Sequence, residues 1–376
     1  VGSEMCIRDR ISTVGLIYDG ITSVIVSYLE AMDKTDLEIY VVNTIKSEPK
    51  ILDRITDLGC KVVDLPSRKT ETLSYFIQLT DFIKKNRINI VHAHGNSATL
   101  AIELLAGYLG GAKKRIAHSH NTKCNQVNAD KLLRPLFYKL CTDSIACGNE
   151  AGIWLFKDKP FTVLKNGRNI NKYAFSHNKR KVIRDMYSLE DSFVLGHVGG
   201  FFEQKNHKYV IRIFREFLKT YPKSKLFLIG DGPLKEEILN NVADIKDNVI
   251  FTGAIENVND YLNACDGMLL PSLFEGLPLV AIEWQINGLP AILSDTITKD
   301  CKLTENVKFD SLEQSPAIWA DDIVEMIDGN DREKSSEISK TIIREKGFDI
   351  EDNAKTLRDI YLSLIHISEP TRLGMI

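Results

Sequence analysis

Apolar runs of strand length alternate with longer stretches of helical period along most of the chain. In the first half the runs fall at 11–18, 38–43, 61–64, 88–92, 115–119, 143–147 and 161–164, and the helical stretches near 22–32, 49–58, 72–85, 97–109 and 130–140. That alternation predicts βαβ units and a parallel sheet, because parallel neighbours need a crossover of about a dozen residues or more between them. Between 168 and 191 it lapses into Asn169-Ile170-Asn171-Lys172-Tyr173 and the basic run Lys179-Arg180-Lys181, which reads as an interdomain linker with solvated charges. A second alternation follows, with strands at 193–198, 225–230, 249–252, 267–271 and 291–293 and helices near 208–219, 234–241, 258–265 and 277–287. Two Rossmann-like halves are implied, over 11–167 and 192–340, and polar helical sequence from about 316 to 361 closes the chain.

The two ends fit no periodic element. Residues 1–10 and 363–376 look like translated sequencing-adapter read-through and are expected to be non-native. With 44% hydrophobic and 26% charged residues the rest has the composition of an ordinary soluble globular protein. A net charge of -3 argues against nucleic acid as the main partner. Seven scattered cysteines without a C-x-x-C pair suggest neither zinc nor a disulfide framework, and a reducing cytoplasm is the simplest home. The longest apolar stretch, 98–112, is too short to span a bilayer and contains Glu103.

The most informative stretch is Ser272 to Glu283, in which two carboxylates, Glu275 and Glu283, flank a strand-to-helix turn. The run 267–271 ends at Pro271, so Glu275 sits in the loop after a strand. Pro278 suits the first turn of the helix expected at 277–287, and Gly288 supplies its stop. The free N–H groups of that helix then point out of the carboxyl edge of the sheet, where a phosphate is readily held. Glu283 shares the apolar stripe of the helix with Leu279, Val280 and Ile286. A carboxylate buried there needs donors from the protein or from a ligand rich in hydroxyls, such as a ribose; otherwise it snorkels out. Glu103, in Ala101-Ile102-Glu103-Leu104-Leu105, is a similar acid without an evident role.

Other turns fall at the same kind of place. Gly20-Ile21-Thr22 follows the first run and opens a helix, as a ligand approach or as a tight turn with Thr22 capping. His92 with His94, and His118 with His120, lie two apart at strand ends, a spacing that suits hydrogen bonding better than a metal because no carboxylate lies within either pair. His120-Asn121 lies furthest out, where it could meet a sugar or phosphate. Asn166-Gly167 ends the first half as a turn or a contact. The stretch Gly196 to His207 is neither a dinucleotide fingerprint nor a P-loop, yet Lys205 in it is placed to reach a phosphate. Gly230-Asp231-Gly232-Pro233 lets a base or phosphate approach the backbone, or simply starts a helix. Lys205, the Gly230 turn and Glu275-Gly276 all fall at carboxyl ends of strands in one sheet, so they share an edge.

Taken in order, Ala117-His118-Ser119-His120-Asn121, Asn166-Gly167, Lys205-Asn206-His207, Gly230 to Pro233 and the Glu275 to Glu283 pair resemble the retaining glycosyltransferases of family four, nearest the branch that builds capsular polysaccharides and exopolysaccharides. The resemblance runs from about 11 to 361. It implies an α/β GT-B fold: two Rossmann-like doubly wound domains facing across a cleft, the first for the acceptor, the second for a nucleotide sugar, and a C-terminal helix at 341–362 returning to the first domain. By the resemblance, Glu275, His120 and Lys205 carry the catalysis. Glu283, Phe274, Gly276, Leu277, Pro278, Leu279, Gly230, Asp231, Gly232, Pro233, Asn206 and Gly200 hold the donor. Gly20, Ile21, Thr22, His94, Asn121, Asn166 and Arg168 line the acceptor side. It further implies retention at the anomeric carbon, no metal and no cofactor beyond the donor, expected to be a UDP-sugar. The family usually has an arginine where this chain has Gly200, and Arg168 is the candidate to compensate.

The expected partners are a nucleotide sugar and a glycan or polyprenyl-linked acceptor, with no nucleic acid. Localisation is then cytoplasmic, with peripheral contact to the inner membrane face through Lys131 to Lys139, or else that stretch is a packed helix. The competing readings are a catalytically silent partner subunit and a nucleotide-sugar epimerase of the same architecture. A glycoside hydrolase fits least, since Glu283 lies inside a helix.

Overall fold

The computed structural model describes residues 5–10, 16, 20–45, 47–122, 124 and 126–363, with backbone alone for 5–10. They divide into two compact units: one runs to Gly167 and resumes at Gly347, and the other spans Arg168–Lys346. The first comprises β1 (Met5–Arg10), α1 (Gly20–Ala31), β2 (Leu37–Asn43), α2 (Pro49–Asp57), β3 (Lys61–Asp64), α3 (Thr72–Lys85), β4 (Ile90–Gly95), α4 (Ala101–Gly110), β5 (Lys114–Ser119), α5 (Val127–Leu140), β6 (Asp143–Ala146), α6 (Asn149–Phe156) and β7 (Thr162–Val163). Its strands are parallel in the order β3-β2-β1-β4-β5-β6-β7, so the topological switch lies between β1 and β4. Strand β1 falls inside 1–10, the stretch expected to fit no periodic element; the strand expected at 11–18 falls on 11–15 and 17–18, which lie outside the described residues, as do 1–4, 19 and 364–376.

The second unit comprises α7 (Ile170–Tyr173), α8 (His177–Tyr187), β8 (Val194–Val198), α9 (His207–Thr220), β9 (Lys225–Ile229), α10 (Lys235–Asn241), β10 (Val249–Gly253), α11 (Val258–Ala264), β11 (Gly267–Leu270), α12 (Leu279–Ile286), β12 (Ala291–Ser294), β13 (Val307–Asp310), α13 (Pro316–Asp328) and α14 (Arg332–Glu345). The order β10-β9-β8-β11-β12-β13 puts its switch between β8 and β11. Side chains alternate across this sheet. Leu226 and Leu228 join Leu195, Phe214 and Trp319 on one face, and Phe227 and Ile229 join Val194, Met268 and Trp284 on the other. Helices cover both faces, which is why these strands read as unbroken apolar runs. Each fully buried tryptophan contributes about 5 kcal/mol of apolar burial.

Three expectations change. The stretch read as a linker belongs to the second unit and is largely helix, with Ser176 capping α8. Its basic run is only partly solvated: Arg180 donates to Asp266 at 2.6 Å and to the carbonyls of Asn263 and Cys265 at 3.1 Å. Strand β13, Val-Lys-Phe-Asp, was not expected, because a short edge strand carries half its residues polar. The closing helix α15 (Ile350–Leu362) starts later than 341, and α14 before it belongs to the second unit. α15 packs in the first unit against α1. There Asn353 donates to the Lys165 carbonyl at 2.9 Å, and a side chain at Gly167 would collide with the backbone of Ile350. Among the described residues no helix is long and apolar enough to cross a membrane.

Candidate active site

The carboxyl ends of β8 and β11 flank the switch point of the second unit, and the loops leaving them are sewn together. The Leu273 amide donates to the Gln204 carbonyl at 2.8 Å, Gln204 Nε2 to the Phe274 carbonyl at 2.9 Å, and Asn206 Nδ2 to the Pro271 carbonyl at 3.0 Å. Asn206 adopts a left-handed conformation, φ 52°, where the loop turns into α9. These bonds bring Lys205 Nζ to 2.5 Å from Glu275 Oε1, a charge-assisted contact between two mostly buried side chains. The lysine stem lies along Gly199, where a Cβ would stand 3.0 Å from Lys205 Cδ. Gly200 lies under the ring of Phe202: the Phe202 amide donates to the Gly200 carbonyl at 2.8 Å, and a Cβ at 200 would stand 2.7 Å from Phe202 Cε2.

The Gly230 turn packs closely on the loop at Gly199–Phe201. Gly230 has φ 145°, and a Cβ there would stand 2.1 Å from the Gly199 carbonyl oxygen; one at Gly232 would stand 2.7 Å from Phe201 N. These glycines let one loop approach another loop. The Phe201 amide donates to the Asp231 carbonyl at 2.9 Å, which fixes the close approach. The exposed Asp231 carboxyl is held below its usual range by Lys235 and by the Gly232 amide. Pro233 precedes α10 by one residue, Leu234. Gly276, by contrast, faces open space, where a Cβ would meet no atom of the described residues within 4 Å. Pro278 is the N-cap of α12 rather than part of its first turn, and no side chain caps that helix. Leu277 packs against the core, and Phe274 is exposed.

Glu283 is buried rather than snorkelling out of the helix, and the protein supplies its partners. Arg168 Nε lies 2.8 Å from Glu283 Oε1, and Tyr173 adds a side-chain hydrogen bond. Burial pushes the carboxyl above its usual value against the pull of Arg168, Tyr173 and Lys172. The carboxylate therefore needs no ligand to be satisfied. Arg168 is itself buried beside it. Glu103 is resolved the same way, with Arg68 Nε at 2.7 Å from Oε1.

In the first unit, Gly20 and Ile21 begin α1. Thr22 is buried inside its first turn, so it is not the cap. Asn121 is exposed, and its Oδ1 accepts from the Thr122 amide at 2.7 Å. Asn166 is buried at the end of its unit. His92, His94, His118 and His120 form one column, with neighbouring ring centroids 4.2 to 5.3 Å apart. Burial, then neighbouring imidazoles, hold His118 and His120 well below the usual histidine range. Nitrogens of His92, His94 and His118 lie within 4.8 Å of one another, near enough to raise the question of a metal. The three rings lie 6° to 34° from parallel, and the group contains no carboxylate. Nδ1 of His92 meets the Tyr361 hydroxyl at 2.7 Å, and Nδ1 of His94 meets His120 Nε2 at 2.8 Å, while both nitrogens of His118 have no hydrogen-bond partner among the described residues. Sequence patterns missed Arg168 with Tyr173 as partners of Glu283, and Gln204 as the clasp between loops; neither leaves a local signal.

Residues 192–328 match the family model described as "Glycosyl transferases group 1". The chain is 30% identical over 368 residues to "Putative glycosyltransferase EpsF" of Bacillus subtilis, covering 92% of this chain and 94% of that protein. It is 28% identical over 312 residues to the Escherichia coli "UDP-Gal:alpha-D-GlcNAc-diphosphoundecaprenol alpha-1,3-galactosyltransferase", covering 77% and 79%. Among solved structures, Anabaena HepE in complex with UDP superposes with a TM-score of 0.76 at 14% identity, covering 96% of this chain and all of that one.

Proposed function

This chain belongs to the group 1 glycosyl transferases and has their GT-B fold of two Rossmann-like units, and we propose that it transfers a sugar, with retention, from a UDP-sugar to a glycan or lipid-linked acceptor in cell-surface polysaccharide synthesis. The observation that carries the site is the Lys205–Glu275 pair at the switch point, beside the uncapped start of α12. The name of the Escherichia coli relative, with its UDP-sugar donor and lipid-diphosphate acceptor, and the UDP complex of HepE support the choice of substrates.

In this reading Glu275 binds hydroxyls of the transferred sugar. Lys205 and the amides from Gly276 through Leu279 offset the diphosphate charge, electrostatic work for which no metal is invoked. Glu283, oriented by Arg168 and Tyr173, keeps lone pairs for the ribose hydroxyls. The acceptor hydroxyl bonds to the anomeric carbon on the face from which the diphosphate departs. The sugar–phosphate bond breaks, and the departing phosphate oxygen takes the hydroxyl's proton. His120, with Asn121, Asn166 and the start of α1, belongs to the acceptor side. Exposed Leu132, Lys131 and Lys139 on α5 would meet the inner membrane face that carries a lipid-linked acceptor.

A thermal-shift screen of UDP-sugars followed by UDP-release assays with lipid-linked acceptors tests the reading. One UDP-sugar should stabilise the protein by mass action, and Lys205→Met should lower turnover about a hundredfold or more. Binding by no nucleotide sugar, or conversion of the donor to its epimer without acceptor, would overturn it.

A further inference from the structure

We propose that His94 is a positioning residue: it pins the His120 imidazole through Nε2, so that Nδ1 is the nitrogen offered to the substrate. The inference rests on the reading of His120 above as the acceptor-side contact. Parallel pairing of β4 with β5 sets His94 opposite His118, and the two-residue spacing brings His120 onto the same face one step further out. His120 lies just past the last residue of β5, beyond the reach of the ladder. Its ring is held by side chains instead: stacking on His118 at 4.2 Å and the 2.8 Å contact of its Nε2 with His94 Nδ1.

A neutral imidazole has one donor and one acceptor nitrogen, so whichever role Nε2 takes toward His94 leaves the other role to Nδ1. That nitrogen is buried and has no hydrogen-bond partner among the described residues, which suits a group kept for a ligand hydroxyl. A hydroxyl both donates and accepts, so it pairs with Nδ1 in either tautomer. His94 is only 3% exposed and is stacked on His92 at 4.2 Å, which stops its own ring from turning. It acts through His120 and not on the substrate.

The test uses the full chain, with ring nitrogen-15 spectra and steady-state transfer measured on the wild type, His94→Phe, His94→Asn and His94→Gln. The Asn amide stands near the place of Nδ1, whereas the Gln amide stands near Nε2. In the wild type and in His94→Asn the His120 ring should show one tautomer, and in His94→Phe and His94→Gln averaged signals. Turnover should fall about tenfold to a hundredfold in the Phe and Gln variants, with donor KM little changed, and recover in the Asn variant. An unchanged His120 tautomer, or unchanged turnover, in the Gln variant overturns the proposal even if the Phe variant fails to fold. A wild type that transfers no sugar while the spectra shift as described overturns the functional reading of His120 and leaves the pairing standing.

Discussion

Replacing Arg168 with methionine removes the cation beside a buried carboxylate while keeping most of the side-chain volume. Breaking a buried ion pair from one side typically costs about 3 to 5 kcal/mol. Here the loss has a ceiling, because Glu283 can take up a proton instead. For a carboxyl with an unfolded value of about 4.3, neutralisation costs about 4 kcal/mol at pH 7 and about 2 kcal/mol at pH 5.5. The Tyr173 hydrogen bond survives the substitution and brings the loss below that ceiling. The sign follows from the direction of the shift. A carboxyl raised above its unfolded value binds its proton more tightly in the fold, so stability falls as pH rises from the unfolded value through the folded one. Arg168→Met raises Glu283 further and widens that window upward. Urea unfolding of the wild type, Arg168→Met, Glu283→Gln and the double variant at both pH values should therefore show a loss of about 2 to 4 kcal/mol at pH 7 that shrinks at pH 5.5. Adding Glu283→Gln should restore much of it, since the amide needs no counter-charge. A loss under about 1 kcal/mol, the range of an exposed pair, or one independent of pH, would refute the assignment of Arg168 as the partner that keeps Glu283 buried.

Two further outcomes follow from the second unit. His207 is buried against His197 and Phe201, and burial, then Lys205, push it down from 6.5 to about 4. The unfolded chain then binds the extra proton, so the stabilisation is whole above about 6.5 and is lost as pH falls toward 4, to about 3 kcal/mol; His207→Phe should flatten that slope in urea unfolding. Gly230→Ala should cost about 2 kcal/mol or more and weaken nucleotide-sugar binding, because its Cβ would stand 2.1 Å from the Gly199 oxygen at φ 145°. Gly276→Ala, in open space, should leave the melting temperature unchanged, and a comparable loss there would remove the geometric argument.

Most strands of both sheets were legible because a strand covered on both faces is apolar throughout, a purely local property. The site loops were legible for a related reason: in a doubly wound sheet every loop after a strand opens on the same edge, so Lys205, Gly230 and Glu275 could be placed together from their positions in the alternation. Helix α8 was not legible. Its sequence is polar, and its hold on the unit comes from Arg180 and Arg184 reaching the carbonyls at 263–265 and Asp266. Strand β1 was not legible either, since Met5–Arg10 carries no periodic apolar pattern.

The chain's own pattern determined a pair of parallel α/β units and the sheet edge at which Lys205 and Glu275 meet, since each depends on the period of apolar residues and on turn chemistry. Only the tertiary structure decided what satisfies the Glu283 carboxylate, what the Gly230 turn makes room for and which nitrogen of His120 is tied. Each of those answers depends on a group far along the chain: Arg168 for Glu283, the Gly199 backbone for Gly230 and His94 for His120. Hydrogen bonds and close contacts act over a few ångströms in space and leave no periodic trace in sequence.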